Sequence, residues 1–326
     1  MKKENSGQLT VALKRFLKRR ETTVLLIIVG ICILLGVITP TFLTGSNLRA
    51  TAIGLATDGI IVIGMTVVLV SGGLDLSVGS VMAFSGVVAG TLHITFGWNI
   101  WLACLCTILI CGVIGLINGL IIGKIGLSPL ITTLGMMEIA RGGTYVVTKG
   151  SPVSLSAAPD AFKFLGKGAV VGVPVLVLIL VVLVIISDFL LRNSSAMRNV
   201  FYSGSNEKAA ILSGINTRRV KIFVYIASAM ISGLAGILSV SRFSVASATA
   251  GDGAEMRAIS AAVIGGASLN GGEGTILGAI MGIILLNVID NALVLLQVSV
   301  YWQQVISGTI LVLAVMIDHF SHKKRS

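Results

Sequence analysis

The chain has 326 residues, of which 55% are hydrophobic, only 11% are charged and 39 are glycine, and its formal net charge is +11. Soluble domains carry about 25% charged residues, so soluble, secreted disulfide-stapled, disordered and nucleic-acid-binding classes are excluded. The positive charge is to be read against a membrane surface.

In chain order, a basic arm over 1–22 (Lys2, Lys3, Lys14, Arg15, Lys18, Arg19, Arg20) precedes an apolar run from Val24 to Ile38. This resembles a signal peptide, but Thr39-Pro40-Thr41-Phe42 closes the run without a small-residue cleavage site, so it reads as an uncleaved first span. Hydropathy predicts further spans near 51–71, 78–96, 100–123, 127–148 and 169–191. A cytoplasmic loop follows over 192–220, then spans near 221–242, 256–270, 273–296 and 301–319, and a basic tail over 320–326. About 20 helical residues cross the hydrocarbon layer. Arg192, Arg198, Lys208, Arg218, Arg219 and Lys221 in the central loop, and Lys323, Lys324 and Arg325 in the tail, place loop, tail and arm inside by the positive-inside bias. Six crossings and then four satisfy that parity, and Trp98, Trp101, Tyr301 and Trp302 fall at outer turns. Pro129, Glu138 and Arg141 interrupt 127–148, and 256–270 is short, so these two segments are expected to be bent or re-entrant. The expected fold class is an all-α polytopic membrane protein of about ten transmembrane helices, both termini cytoplasmic, with 23–319 one transmembrane domain.

Two glycine series, Gly115, Gly119, Gly123 and Gly274, Gly278, Gly282, each predict a ridge for close helix approach. The turns at Gly72 to Ser80 and Gly265 to Thr275 both run from a double glycine through a polar stretch to a glycine and a hydroxyl residue, a candidate two-half internal repeat. Cys32, Cys104, Cys106 and Cys111 lie in apolar stretches and read as small core residues.

Catalytic material is sparse. The histidines are His93, His319 and His322, no metal-ligand or nucleophile motif occurs, and no glycine-rich phosphate loop ends in Lys-Ser or Lys-Thr. An ATP-driven transporter built on this chain needs its ATPase from another polypeptide. The alternative engine is an ion-coupled carboxylate at membrane depth, as in a secondary carrier or facilitator. The candidates along such a path are Asp58, Asn118, Glu138, Arg141, Asp290 and Asn291, with Asn287 nearby. Glu138 and Arg141, three residues apart, are expected to pair with each other.

Within the central loop, Ser205 or Asn206 can cap a short helix, Glu207 complements its dipole and Gly214 can close it. A helix of about eight residues carrying Ala209, Ala210 and Leu212 is too short to stand alone and needs something to dock on.

Gly64-Met65-Thr66, the string from Ser71 to Ser80, the string from Asn206 to Asn216 and that from Val263 to Gly274 occur in this order. Together they resemble the permease subunit of ribose/xylose/arabinose-type ABC sugar importers, from about Leu43 to Asp318. The resemblance implies a multi-pass protein of the bacterial inner or plasma membrane that moves a neutral monosaccharide or related solute. It implies three partners: a second permease copy (homo- or heterodimer), a cytoplasmic ABC ATPase dimer and an extracytoplasmic solute-binding protein. ATP and Mg belong to the ATPase, with no cofactor or metal on this chain. It also implies that Glu207, Lys208, Ala209, Ala210, Leu212 and Gly214 form the ATPase-coupling helix, and that Gly72, Gly73, Asp75, Ser77 and Gly79 form a family turn.

Overall fold

The computed structural model describes residues 20–323. The basic positions before residue 20 and after 323, and the side chains of His319 and His322, lie outside the described residues.

Apolar runs become helices because the backbone must satisfy its own polar groups in hydrocarbon. They are α1 (Arg20–Ile38), α2 (Gly45–Val70), α3 (Val78–Ile94) and α4 (Ile100–Leu120), the last continuing through a π-helical turn at Ile121–Ile125. Then come α5 (Pro129–Thr148), α6 (Asp160–Lys167), α7 (Val175–Asn193), α8 (Ser195–Ser205) and α9 (Glu207–Leu212). The chain closes with α10 (Thr217–Phe243), α11 (Ala254–Ile264), α12 (Ile276–Leu295) and α13 (Val300–Lys323). Four two-residue strands form two small antiparallel pairs, β1 (Val153–Ser154) with β4 (Val245–Ala246) and β2 (Ala169–Val170) with β3 (Val173–Pro174). Helices α2, α4 with its π turn, α7, α10 and α12 are long and apolar enough to cross a membrane, and α1, α3 and α13 carry shorter apolar stretches.

Helix α2 is the centre: from Ile60 to Val70 it is buried on every face, as a helix apolar all round must be. It packs against α10, α12, α11 and α7. By contrast α4 and α7 turn Leu102, Leu105, Leu109, Val181, Ile185 and Phe189 outward, the apolar belt that lipid solvates at no cost.

Glycine makes the seams. A Cβ on Gly115 would overlap the Tyr225 carbonyl oxygen, and one on Gly119 would lie 2.6 Å from Ile222 Cα, so α4 and α10 meet backbone to backbone. Cβ atoms on Gly278 and Gly282 would overlap the carbonyl oxygens of Gly265 and Ala261. Gly274 is not on that ridge, because α12 begins only at Ile276. Such contact favours association through dispersion where lipid offers no hydrophobic drive.

Of the two segments expected to be bent or re-entrant, one differs from expectation. The 127–148 region is one uninterrupted helix, opened by Pro129 at a position where a missing N–H costs nothing. The 256–270 region is the irregular one, with a break before α11. Ala246 lies beside Gly86 and Gly90, and Gly251 lies against Gly79, so the 245–253 stretch runs along α3 toward its start as non-helical backbone. Eleven residues of helix follow, about 16 Å long and half of a crossing.

Candidate translocation path and coupling segment

The turn between α2 and α3 is a buried polar knot. Asp75 is 1% exposed. Its Oδ1 accepts from the Ser77 amide (3.0 Å) and hydroxyl (2.6 Å), and its Oδ2 accepts from the Ser228 hydroxyl at 2.8 Å. Asn118 donates to Ser77 Oγ at 3.3 Å, Tyr225 donates to the Leu74 carbonyl at 3.1 Å, and the Leu76 amide donates to Thr133 Oγ1 at 3.1 Å. One turn thus ties together α4, α5 and α10. Asn118 lies in this knot and does not line the cavity described below.

Next to the knot, three backbones meet. The Gly272 amide donates to the Val70 carbonyl at 2.8 Å. A Cβ on Gly204 would overlap that same carbonyl oxygen, and one on Gly271 would lie 2.7 Å from both Gly204 O and Gly72 Cα. The two glycine-rich turns therefore touch each other and the end of α8.

Helix α9 leaves from this junction. Asn206, not Ser205, is its cap, with Oδ1 accepting from the Ala209 amide at 3.0 Å. Glu207 receives Lys221 Nζ at 2.6 Å. That hydrogen bond holds the Glu207 carboxyl below its ordinary range, outweighing the opposing effect of burial. The helix closes after six residues rather than about eight, with Gly214 at φ +83° and the Ile215 amide donating back to Ala210 O at 3.0 Å. Ala210 faces the protein, while Lys208, Ala209, Ile211 and Leu212 are exposed, Leu212 to 89%.

The second feature is a cavity of about 1220 Å³ between α2, the end of α10, the 245–253 stretch, α11, α12 and α13. Arg257 on α11 bridges Asp58 on α2 (3.1 Å) and Asp290 on α12 (2.7 Å). Arg242, whose guanidinium lies 4.7 Å from the Phe243 ring centroid, donates to Ile53 O at 3.3 Å on the same wall. Asn291 also lines the cavity, locked to Asn47 by two reciprocal amide bonds of 2.9 Å.

Of the path candidates, Asp58, Asp290 and Asn291 come together here with Asn287, while Glu138 and Arg141 do not line the cavity. The expected Glu138–Arg141 pair does not form. Glu138 faces outward, and Arg141 reaches across to Asp252 (2.6 Å) and to the carbonyls of Ala248 and Ala250. The physical reason is demand: the non-helical 245–253 backbone leaves carbonyls unpaired, and a five-donor fork answers them better than one exposed carboxylate attracts it. Arg257 is the residue that sequence reasoning missed. Its signal was an arginine inside a segment already read as a span. Among the described residues no cluster of potential metal ligands occurs.

Residues 47–315 match the family described as the permease component of branched-chain amino acid transport systems, and the chain belongs to that family. It is a multi-pass transport subunit of the bacterial cell membrane. Among curated proteins, it is 36% identical over 305 residues to the ribose import permease protein RbsC of Escherichia coli K12, covering 93% of this chain and 94% of that one. It is 37% identical over 286 residues to RbsC of Bacillus subtilis, 88% of each chain. The L-arabinose ABC transporter permease protein AraH of Azospirillum brasilense is also 37% identical over 286 residues, 88% of this chain and 84% of its own. No solved structure matches.

Proposed function

We propose that the chain is the permease subunit of an ATP-binding-cassette importer for a neutral monosaccharide or related polyol. An extracytoplasmic binding protein delivers the solute, and a cytoplasmic ATPase dimer, which carries ATP and Mg, drives its passage through two permease copies. The observation that carries this reading is α9: six residues, mostly exposed, following directly on the end of α8, which packs against both glycine-rich turns. A helix that short has no stability of its own, and its exposed Ile211 and Leu212 fit a groove on a partner. The names of the relatives, ribose and arabinose permeases, support a sugar as the solute.

In this reading both termini and α9 are cytoplasmic, and residues 244–264 serve as one broken crossing, which keeps ten crossings in all. Movement of α8 and α9 on ATP binding is passed through the Gly204 junction to the turns before α3 and α12, and so to the cavity walls. Small shear between glycine seams is the kind of motion such packing permits. The carrier alternative is disfavoured because the two cavity carboxylates named as coupling candidates, Asp58 and Asp290, are both engaged by Arg257.

The test is affinity purification of the tagged protein from native membranes in mild detergent, with partners identified by mass spectrometry. A phosphate-loop ATPase in about one-to-one ratio supports the reading, and a lone oligomer that transports under an ion gradient defeats it. Glu207→Lys, which sets a like charge against Lys221, and Gly214→Val, which strains a left-handed residue, are expected to abolish uptake while insertion in the membrane persists. Normal uptake in both variants removes the docking role.

A further inference from the structure

We infer that the cavity holds a built, low-affinity site for a neutral polyhydroxylated solute, in which Asp58, Asp290, Arg257, Thr57 and Asn287 hydrogen-bond hydroxyl groups. The inference rests on the importer reading and adds that the permease recognises the solute itself, after the binding protein has released it.

The donor and acceptor set is fixed in place. Asp58 and Asp290, on α2 and α12, each give one oxygen to the same guanidinium, which leaves acceptor capacity on both carboxylates. Asn287 lines the same wall and donates to Ile283 O at 3.2 Å. A planar carboxylate accepts from sugar O–H groups and a guanidinium donates to sugar oxygens, and both suit neighbouring hydroxyls.

Two polar atoms at the cavity wall lack partners within the described residues. Thr57 Oγ1 belongs to a side chain only 6% exposed, and Arg257 Nε is likewise enclosed. A buried polar group left unpaired is unfavourable, so a small shift of the wall that brings either atom within reach of a solute hydroxyl, which both donates and accepts, is favoured.

Charge decides the class of solute. The charges on and directly behind the wall balance: Asp58 and Asp290 share Arg257, Asp252 pairs with Arg141, and Arg242, held by the Ile53 carbonyl, offsets the second aspartate. No fixed charge is left over to meet an ionic solute, and pulling one out of these pairs would strand its partner. The cavity is also larger than the roughly 300–1,000 Å³ that encloses a small ligand tightly. Weak, hydroxyl-directed contact is what a path needs, since a solute that binds strongly does not leave.

The permease–ATPase complex in lipid nanodiscs, without binding protein, tests this by saturation-transfer NMR. Uptake by the complete system in proteoliposomes first shows which of D-ribose, L-arabinose, D-xylose and D-galactose is carried. If none is, the sugar-importer reading falls and this inference falls with it. With the carried sugar, wild type is expected to transfer saturation to the ring protons and to give none with zwitterionic L-leucine. Isosteric Thr57→Val is expected to weaken the signal about fivefold, the scale of one hydrogen bond, with Thr57→Ser restoring it and Asn287→Leu as the independent second variant. No transfer in wild type, or equal transfer in all four proteins, overturns the site and leaves the importer reading standing.

Discussion

Asp75 is a buried carboxyl group whose three hydrogen bonds all come from Ser77 and Ser228, so it is held by hydrogen bonds rather than by an ion pair among the described residues. Bonds to a charged group are worth about 1.5–3 kcal/mol each before the cost of burying it. Asp75→Ala strands three donors and is expected to lose about 2–4 kcal/mol. Asp75→Asn keeps one oxygen and lets the Ser228 hydroxyl turn to accept, for about 1–2 kcal/mol. Thermal unfolding in detergent, followed by a thiol-reactive dye on buried Cys104 and Cys111, separates the two; equal losses would mean that the knot is not what the residue holds. Glu207 makes a pH prediction of definite sign. Its carboxyl is held below the ordinary range by Lys221, so its contribution is fully present above the unfolded value near about pH 4.5. The contribution disappears as pH falls through the lower folded value. Hydrogen exchange of α9 should therefore be insensitive to this group at neutral pH and lose protection only in acid. Lys221→Met should move that loss to higher pH, and an unchanged profile would count against the pair. The site is half exposed, so the effect is small and weakened by salt.

At the scale of elements, Gly204 lets a helix end pass through a gap with no room for a methyl group. Its φ is ordinary for a helix, so alanine would stabilise α8 in isolation by about 0.5–1 kcal/mol. Any loss in Gly204→Ala must then come from its contacts with Val70 and Gly272. Uptake and binding-protein-stimulated ATPase activity are expected to fall together, with expression retained. Gly142→Ala on α5, where nothing lies within 4 Å, is the control and should be neutral. Wild-type uptake in Gly204→Ala would detach the junction from coupling. The long helices were legible because runs such as Gly45–Val70 and Ile276–Leu295 state their environment in composition alone. The caps of α9 were legible too, since Asn206 and Gly214 act within a few residues. The break before α11 was not, because its unpaired carbonyls are met by Arg141, 107 positions away from Ala248. Asp58, Asp290 and Asn291 could be marked as polar groups at depth, but not that one arginine would gather two of them, which is decided by how α2, α11 and α12 cross.

Across the whole molecule, the cavity wall is held from behind. The 245–253 stretch has no helical ladder, so its place depends on β1–β4 pairing, on the close approach of Gly79 and Gly251, and on Arg141. Arg141 is the strongest of these ties, because one planar fork meets two carbonyls and a carboxylate and joins α5 to the wall facing Asp58 and Arg257. Lysine keeps the charge and loses the fork. Arg141→Lys is therefore expected to retain the Asp252 pair but leave one or both carbonyls unmet, at about 1–3 kcal/mol. Asp252→Asn, which leaves both carbonyl bonds intact and neutralises a side chain that is 62% exposed, should cost well under half as much. Hydrogen exchange over 244–264 gives the decisive comparison. Faster exchange there in Arg141→Lys, with α2 and α12 unchanged and Asp252→Asn near wild type, means that the wall is fastened by its carbonyls. The reverse order would place the fastening in the ion pair, and the broken crossing would then need another source of backbone satisfaction.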